Sequence, residues 1–156
     1  MEHEYYLNIT YDLAAQAVSR GDHPFGALIV QNSTIISQAS NTVVTGEDPT
    51  NHAELLAIKS IFSSENHHKH DNTVLYSSTE PCAMCFGAII WAGIDQVVFG
   101  CSTQGLANAT GRGSFVIPCA HMATFAKSPP AIIGPMMENQ FYEQHVHYWQ
   151  KDMADH

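Results

Sequence analysis

Positive charge is scarce in this chain. Of 156 residues only six are Lys or Arg, against fifteen Asp and Glu, so the formal net charge is −9 with histidines neutral. Arg20, Lys59, Lys69, Arg112, Lys127 and Lys151 stand singly along the sequence. A protein that grips a nucleic acid draws most of its affinity from neutralised phosphates and shows a basic face. A small, neutral partner fits this composition better. Long apolar runs are missing too, which argues against a membrane-spanning helix, and Met1-Glu2-His3-Glu4 lacks the basic and apolar regions of a secretory leader. Cysteine is sparse, four in all, and two of them are spaced Cys-x-x-Cys at Cys82 and Cys85. That pattern points to metal or redox chemistry in a reducing compartment rather than to a disulfide framework. Cys101 and Cys119 are then structural free thiols, and the cytoplasm is the expected location. There is no internal repeat and no low-complexity tract.

What remains is an ordinary globular composition, 45% hydrophobic and 13% charged, on a length that suits one domain spanning 1–156. Helical spacing of Tyr6, Ile9, Leu13 and Ala17 predicts a helix over 4–20, which Gly21 stops. The apolar run 25–30, the polar pair Asn32-Ser33 and a second run over 34–38 predict a hairpin. A loop follows to Asn51, then a helix over 52–62, a strand at 73–77, a helix over 82–92 and a strand at 96–99. The Gly-rich stretch 103–118 reads as loop, 119–127 as a helix, 131–133 as a fifth strand, and Pro135 as the start of a C-terminal helix to about Gln150. Strands alternating with helices predict an α/β layered domain on a mixed sheet. The polar stretch 63–72 carries His67, His68 and His70, which read as a solvated loop, because no Cys or carboxylate is fixed beside them to complete a metal site.

Two short segments carry the chemistry: Asn51-His52-Ala53-Glu54 and Glu80-Pro81-Cys82-Ala83-Met84-Cys85. Taken alone, each is weak. Together they supply one imidazole and two thiolates, a three-ligand zinc set that leaves the fourth tetrahedral position for water. Cys82 and Cys85 are three apart at a predicted helix start, so they share a face. The first turn of a helix favours thiolate, and Pro81 suits a helix start because it has no N–H to satisfy. His52 also opens a helix, so two helix N-termini can converge on one ion. Glu54, two residues on, can take a proton from a zinc-activated water and return it to a leaving amine. His-x-Glu followed by Pro-Cys-x-x-Cys is the signature of zinc deaminases.

On these residues, and on Pro24-Phe25-Gly26-Ala27-Leu28-Ile29-Val30, Asn41, Asp48-Pro49-Thr50 and the continuation to Trp91, the chain resembles the cytidine-deaminase-like superfamily over nearly its whole length. It is most similar to the branch of bacterial guanine deaminases and plant guanosine deaminase. The resemblance implies a three-layer α/β/α sandwich with a five-stranded mixed sheet, one zinc per subunit and a homodimer. It also implies hydrolytic deamination of a nucleobase or nucleoside, with guanine as the leading substrate. By position it makes Glu54 catalytic and His52, Cys82 and Cys85 the metal ligands. Asn41 would hydrogen-bond the base, Phe25 would form a pocket wall, Ala53 would lie against the substrate, Trp91 would stack near the base, and the Glu80 carbonyl would receive the departing amine. Phe25 and Trp91 can equally be core, and Asn41 a turn residue.

One departure bears on substrate. The guanine branch carries an acidic residue after the fourth strand, where it accepts hydrogen bonds from the guanine edge, whereas 103–115 here holds no Asp or Glu. A base left with unpaired donors is poorly discriminated. Asn108 or Ser114 is a neutral substitute, and Glu138 or Glu143 on the C-terminal helix could bring the charge. His145, His147, Tyr148 and Trp149 on that helix read as lid contacts or as packing. Cytosine, a triazine or pterin base, and the adenosine of tRNA are rival substrates, the last disfavoured by the charge. A non-catalytic zinc scaffold is disfavoured by the presence of Glu54.

Overall fold

The computed structural model describes residues 2–63, 71–111 and 115–154. In chain order the elements are α1 (Glu2–Ser19), β1 (Gly26–Gln31), β2 (Thr34–Ser40), α2 (Ala53–Ser63), β3 (Thr73–Thr79), α3 (Ala83–Ala92), β4 (Gln96–Cys101), α4 (Thr103–Thr110), α5 (Cys119–Ala123), β5 (Ala131–Ile133) and α6 (Glu138–Ala154). The hairpin forms as its polar turn dictates. Asn32 and Ser33 both take positive φ, 49° and 65°, the conformation that matches a two-residue turn to the twist of its strands. The five strands run in the order β2-β1-β3-β4-β5. β1 is antiparallel to both β2 and β3, while β3, β4 and β5 are parallel, so the sheet is mixed.

Alternation along the strands sorts the core onto two faces. Ile29, Leu75, Val97 and Phe99 face Ala57, Ile58 and Ile61 of α2 and Ile89 of α3. Leu28, Val30, Tyr76 and Val98 face Tyr6 and Leu7 of α1 and Phe141 of α6. The layers are therefore α2 and α3, the sheet, then α1 and α6. On the second face the helix backbone comes very close. A Cβ at Gly26 would lie 2.6 Å from Leu13 Cβ and 2.8 Å from Ala14 N, so the absence of a side chain there is what lets α1 pack on β1.

Three expectations need correction. The stretch 103–118 is not all loop: it contains α4, because Ser102 caps the helix, its Oγ accepting from Gly105 N at 3.0 Å, and Gly111 ends it in the left-handed conformation. Gly105 is helical rather than a breaker, since a Cβ there would meet Cys101 Sγ at 2.9 Å and Glu138 Oε1 at 3.0 Å. The helix expected over 119–127 ends at Ala123, and the C-terminal helix starts at Glu138, after Met137 at positive φ, rather than at Pro135. The histidines 67, 68 and 70, and Ser114, lie outside the described residues. No helix among the described residues is long and apolar enough to cross a membrane.

Candidate functional site

The zinc ligands come from the starts of α2 and α3. His52 directly precedes α2, and its carbonyl accepts from Leu56 N at 3.0 Å, so the ring projects from the helix mouth. Cys82 occupies the capping position of α3 with extended backbone (φ −70°, ψ 175°), and its carbonyl accepts from Phe86 N at 2.8 Å. Cys85 follows one turn later, fully buried. His52 Nδ1 lies 3.6 Å from Cys82 Sγ and 3.7 Å from Cys85 Sγ. The three ligand atoms all fall within 4.8 Å of one another. A tetrahedral ion with Zn–N of about 2.05 Å and Zn–S of about 2.3 Å would set each N···S separation near about 3.6 Å. The donor set and its spacing therefore fit zinc, with Nδ1 as the metal-facing nitrogen.

The three ligands are electrostatically coupled to one another. Donation from Cys85 Sγ, then from His52, brings the Cys82 thiol down to about 4 against the opposing effect of burial. The thiolate of Cys82, then burial, pushes Cys85 up. His52 is raised by its bond to Cys82 and the charge of Glu54, with burial opposing. Glu54, in the first turn of α2, is buried, and desolvation raises its carboxyl despite a 2.6 Å bond accepted from Ser77 Oγ by Oε1. Cys101 and Cys119 are buried free thiols, as expected, both raised by burial, Cys101 to about 12.

Comparison with known proteins decides the family. Residues 1–101 match the model of the cytidine and deoxycytidylate deaminase zinc-binding region. The chain belongs to that family. This zinc deaminase is 36% identical over 149 residues to the "Probable cytosine deaminase" of Schizosaccharomyces pombe, covering 92% of this chain and 90% of the relative. It is 39% identical over 117 residues to the guanine deaminase of Bacillus subtilis, covering 74% and 75%. Among solved structures, a guanine deaminase from Nitrosomonas europaea superposes with a TM-score of 0.80 over 93% of this chain and 83% of the other, at 20% identity, a likeness of fold.

Around the deaminase's metal centre the remaining candidates divide. Asn41 is buried, and its Oδ1 accepts from Val43 N at 2.9 Å, so the turn reading holds for the oxygen. Its backbone N–H donates to Phe25 O at 3.0 Å, and Phe25, half-buried, packs its ring 5.2 Å from that of His145. Ala53 is buried beside His52. Trp91 is 91% exposed on α3, which makes it no part of the core. Asn108 is exposed on α4, its Oδ1 accepting from Gln104 Nε2, and lines a shallow cavity with Glu138 that none of the zinc ligands reaches. Glu138 accepts from Ser102 Oγ at 2.6 Å and Ser102 N at 3.3 Å. Glu143 lines a groove of about 460 Å³ between α1 and α6 with Tyr11, Ala15 and Val18, away from the zinc ligands.

Sequence reasoning missed two supports. The Glu80 carboxylate braces the metal-bearing turn, accepting from Thr103 N at 2.9 Å and Cys119 N at 2.7 Å, the first residues of α4 and α5. Asp22, fully buried, accepts from Val44 N, Thr45 N and Thr45 Oγ1 at 2.8–3.0 Å and pairs with Arg20. Burial pushes the Asp22 carboxyl up, but these bonds and Arg20 outweigh it and hold it below the usual range. Arg20 Nη2 donates to Asn41 O at 3.1 Å, so the pair fixes the loop that carries Asn41 into His52. The buried rank of Asp22 beside a loop rich in N–H groups had no local pattern to reveal it.

Proposed function

We propose that this zinc deaminase removes the exocyclic amino group of a free nucleobase, cytosine first and guanine second. One observation carries the choice: of the two carboxylates suggested for the guanine edge, one is held by a helix cap and the other lines a groove away from the zinc ligands. Glu138 holds the Ser102 cap, and Glu143 faces the α1–α6 groove. Guanine brings one more ring N–H donor than cytosine and a second ring to enclose, and an unpaired buried donor is costly. The match to the "Probable cytosine deaminase" across 92% of this chain supports the same order. The tRNA reading is opposed by the net charge of −9.

In this reading Asn41, its oxygen held by Val43, turns its NH₂ group to a ring carbonyl, and Phe25 walls the base. A zinc ion held by His52, Cys82 and Cys85 would supply the acidity that lets water lose a proton near neutral pH. Glu54 is anchored through Oε1 on Ser77, so Oε2 is the oxygen that takes that proton and passes it to the departing amine. The Glu80 carbonyl receives the ammonia. Trp91 and Met84, both exposed on α3, support a homodimer through the outer face of that helix. Ammonia release from cytosine and from guanine, at equal concentrations of zinc-loaded protein, tests the order. A larger kcat/KM on guanine would reverse it, and no release from either would end the nucleobase reading. Sedimentation of wild type and Trp91→Glu checks the dimer.

A further inference from the structure

His145 is the one buried histidine among the described residues, with 1% of its surface exposed. It belongs to neither the zinc set nor the proton path, yet both of its ring nitrogens are engaged. Trp149 Nε1, which can only donate, lies 3.3 Å from His145 Nδ1. That makes Nδ1 the acceptor and puts the ring proton on Nε2, which lies 2.7 Å from Thr79 Oγ1. Thr79 ends β3, and the next residues are Glu80, Pro81 and the zinc ligand Cys82. The imidazole ring lies 5.2 Å from that of Phe25, tilted by 51°, and the Phe25 carbonyl accepts the Asn41 amide. Trp149 in turn lies 5.2 Å from the ring of His23, two residues before Phe25.

We propose that His145 is a positioning residue for deamination: it ties the base-holding wall at Phe25 and Asn41 to the metal-bearing turn at 79–82. This rests on the reading of Phe25 and Asn41 as base contacts. Two segments far apart in sequence must stand at a set distance to close around one bound ring, and a 2.7 Å bond on one edge with a ring contact beside it sets that distance. The tautomer matters, because only a neutral imidazole with its proton on Nε2 can serve Thr79 and Trp149 together. α6 itself does not depend on His145. Phe141 anchors it in the core, and Gln144 Nε2 donates to Tyr11 O at 3.1 Å.

The test compares wild type with His145→Phe, which keeps the ring and loses both bonds, and His145→Gln, whose terminal amide still reaches Thr79. Steady-state kinetics use whichever of cytosine or guanine the wild type turns over, with zinc content measured alongside. The expected result is a KM about tenfold higher in His145→Phe with kcat within about threefold, and partial recovery in His145→Gln, because the metal and Glu54 are untouched. An unchanged KM, a fall in kcat alone, or a loss that tracks missing zinc overturns the proposal. If wild type turns over neither base, the substrate reading fails on its own, and hydrogen exchange decides this one. The Asn41 amide exchanges faster in His145→Phe if His145 holds the wall, and at the wild-type rate if it does not.

Discussion

Acid should cost this protein stability through one buried histidine, beyond what its carboxylates lose. Burial alone lowers the His145 pKa from 6.5 to about 4. The groups that face it are Thr79 from β3, Phe25 before β1 and Trp149 from its own helix, none of them charged near neutral pH. Below pH 6.5 the unfolded chain takes up the proton and the folded chain does not, so stability is complete above that pH and falls as pH drops toward 4. At about 1.4 kcal/mol per unit, the full loss is about 3 kcal/mol, of which about 2 kcal/mol is gone by pH 5. His145→Gln lacks the titration, so the comparison isolates it from the carboxyls and from the metal, which both proteins share. Urea unfolding of zinc-loaded wild type and variant at pH 7.5 and pH 5 gives the four free energies. Wild type should lose about 2 kcal/mol more than the variant between the two pH values. Equal losses would refute the reasoning, because they would mean that the imidazole takes up its proton inside the folded protein.

Other outcomes follow from the same geometry. Glu54→Gln should lower turnover by at least about 100-fold while zinc content and the thermal midpoint hold, since it removes a proton carrier and a buried carboxylate together; mass spectrometry of the intact complex and calorimetry check both. Stripping zinc with a chelator should abolish turnover and lower the midpoint, and added zinc should restore both, because His52, Cys82 and Cys85 join the mouths of two helices. Gly26→Ala should destabilise the fold by about 1–3 kcal/mol in urea titration, as the new methyl meets the backbone of α1.

The parts of this molecule that can be read locally were legible in the sequence. The Asn32-Ser33 turn needed only residues that tolerate positive φ, and the zinc ligands needed only one imidazole and two thiols at helix starts. α4 was hidden because its glycines spoke for a loop, while the reason for Gly105, the closeness of Glu138 from a helix 33 positions on, exists only in three dimensions. The same holds for the partners of His145 and Asp22, and for Glu80, where the motif drew attention to a carbonyl and the carboxylate proved to be the brace. Glu143 illustrates the converse: its position on the C-terminal helix suggested the pocket, but the turn of α6 points it at α1.

The two hydrogen bonds that Glu80 accepts have a consequence for chain length. One side chain clips the first residue of α4 and the first residue of α5 to the same point beside the zinc ligands. The segment from α4 to α5 therefore begins and ends at a fixed clasp, like a handle fastened at both ends. α4 itself is held by its close packing at Gly105, but doubling the length of a connection adds only about 0.6 kcal/mol of closure cost, so a longer link between α4 and α5 would leave both clips, and Cys82 beside them, in place.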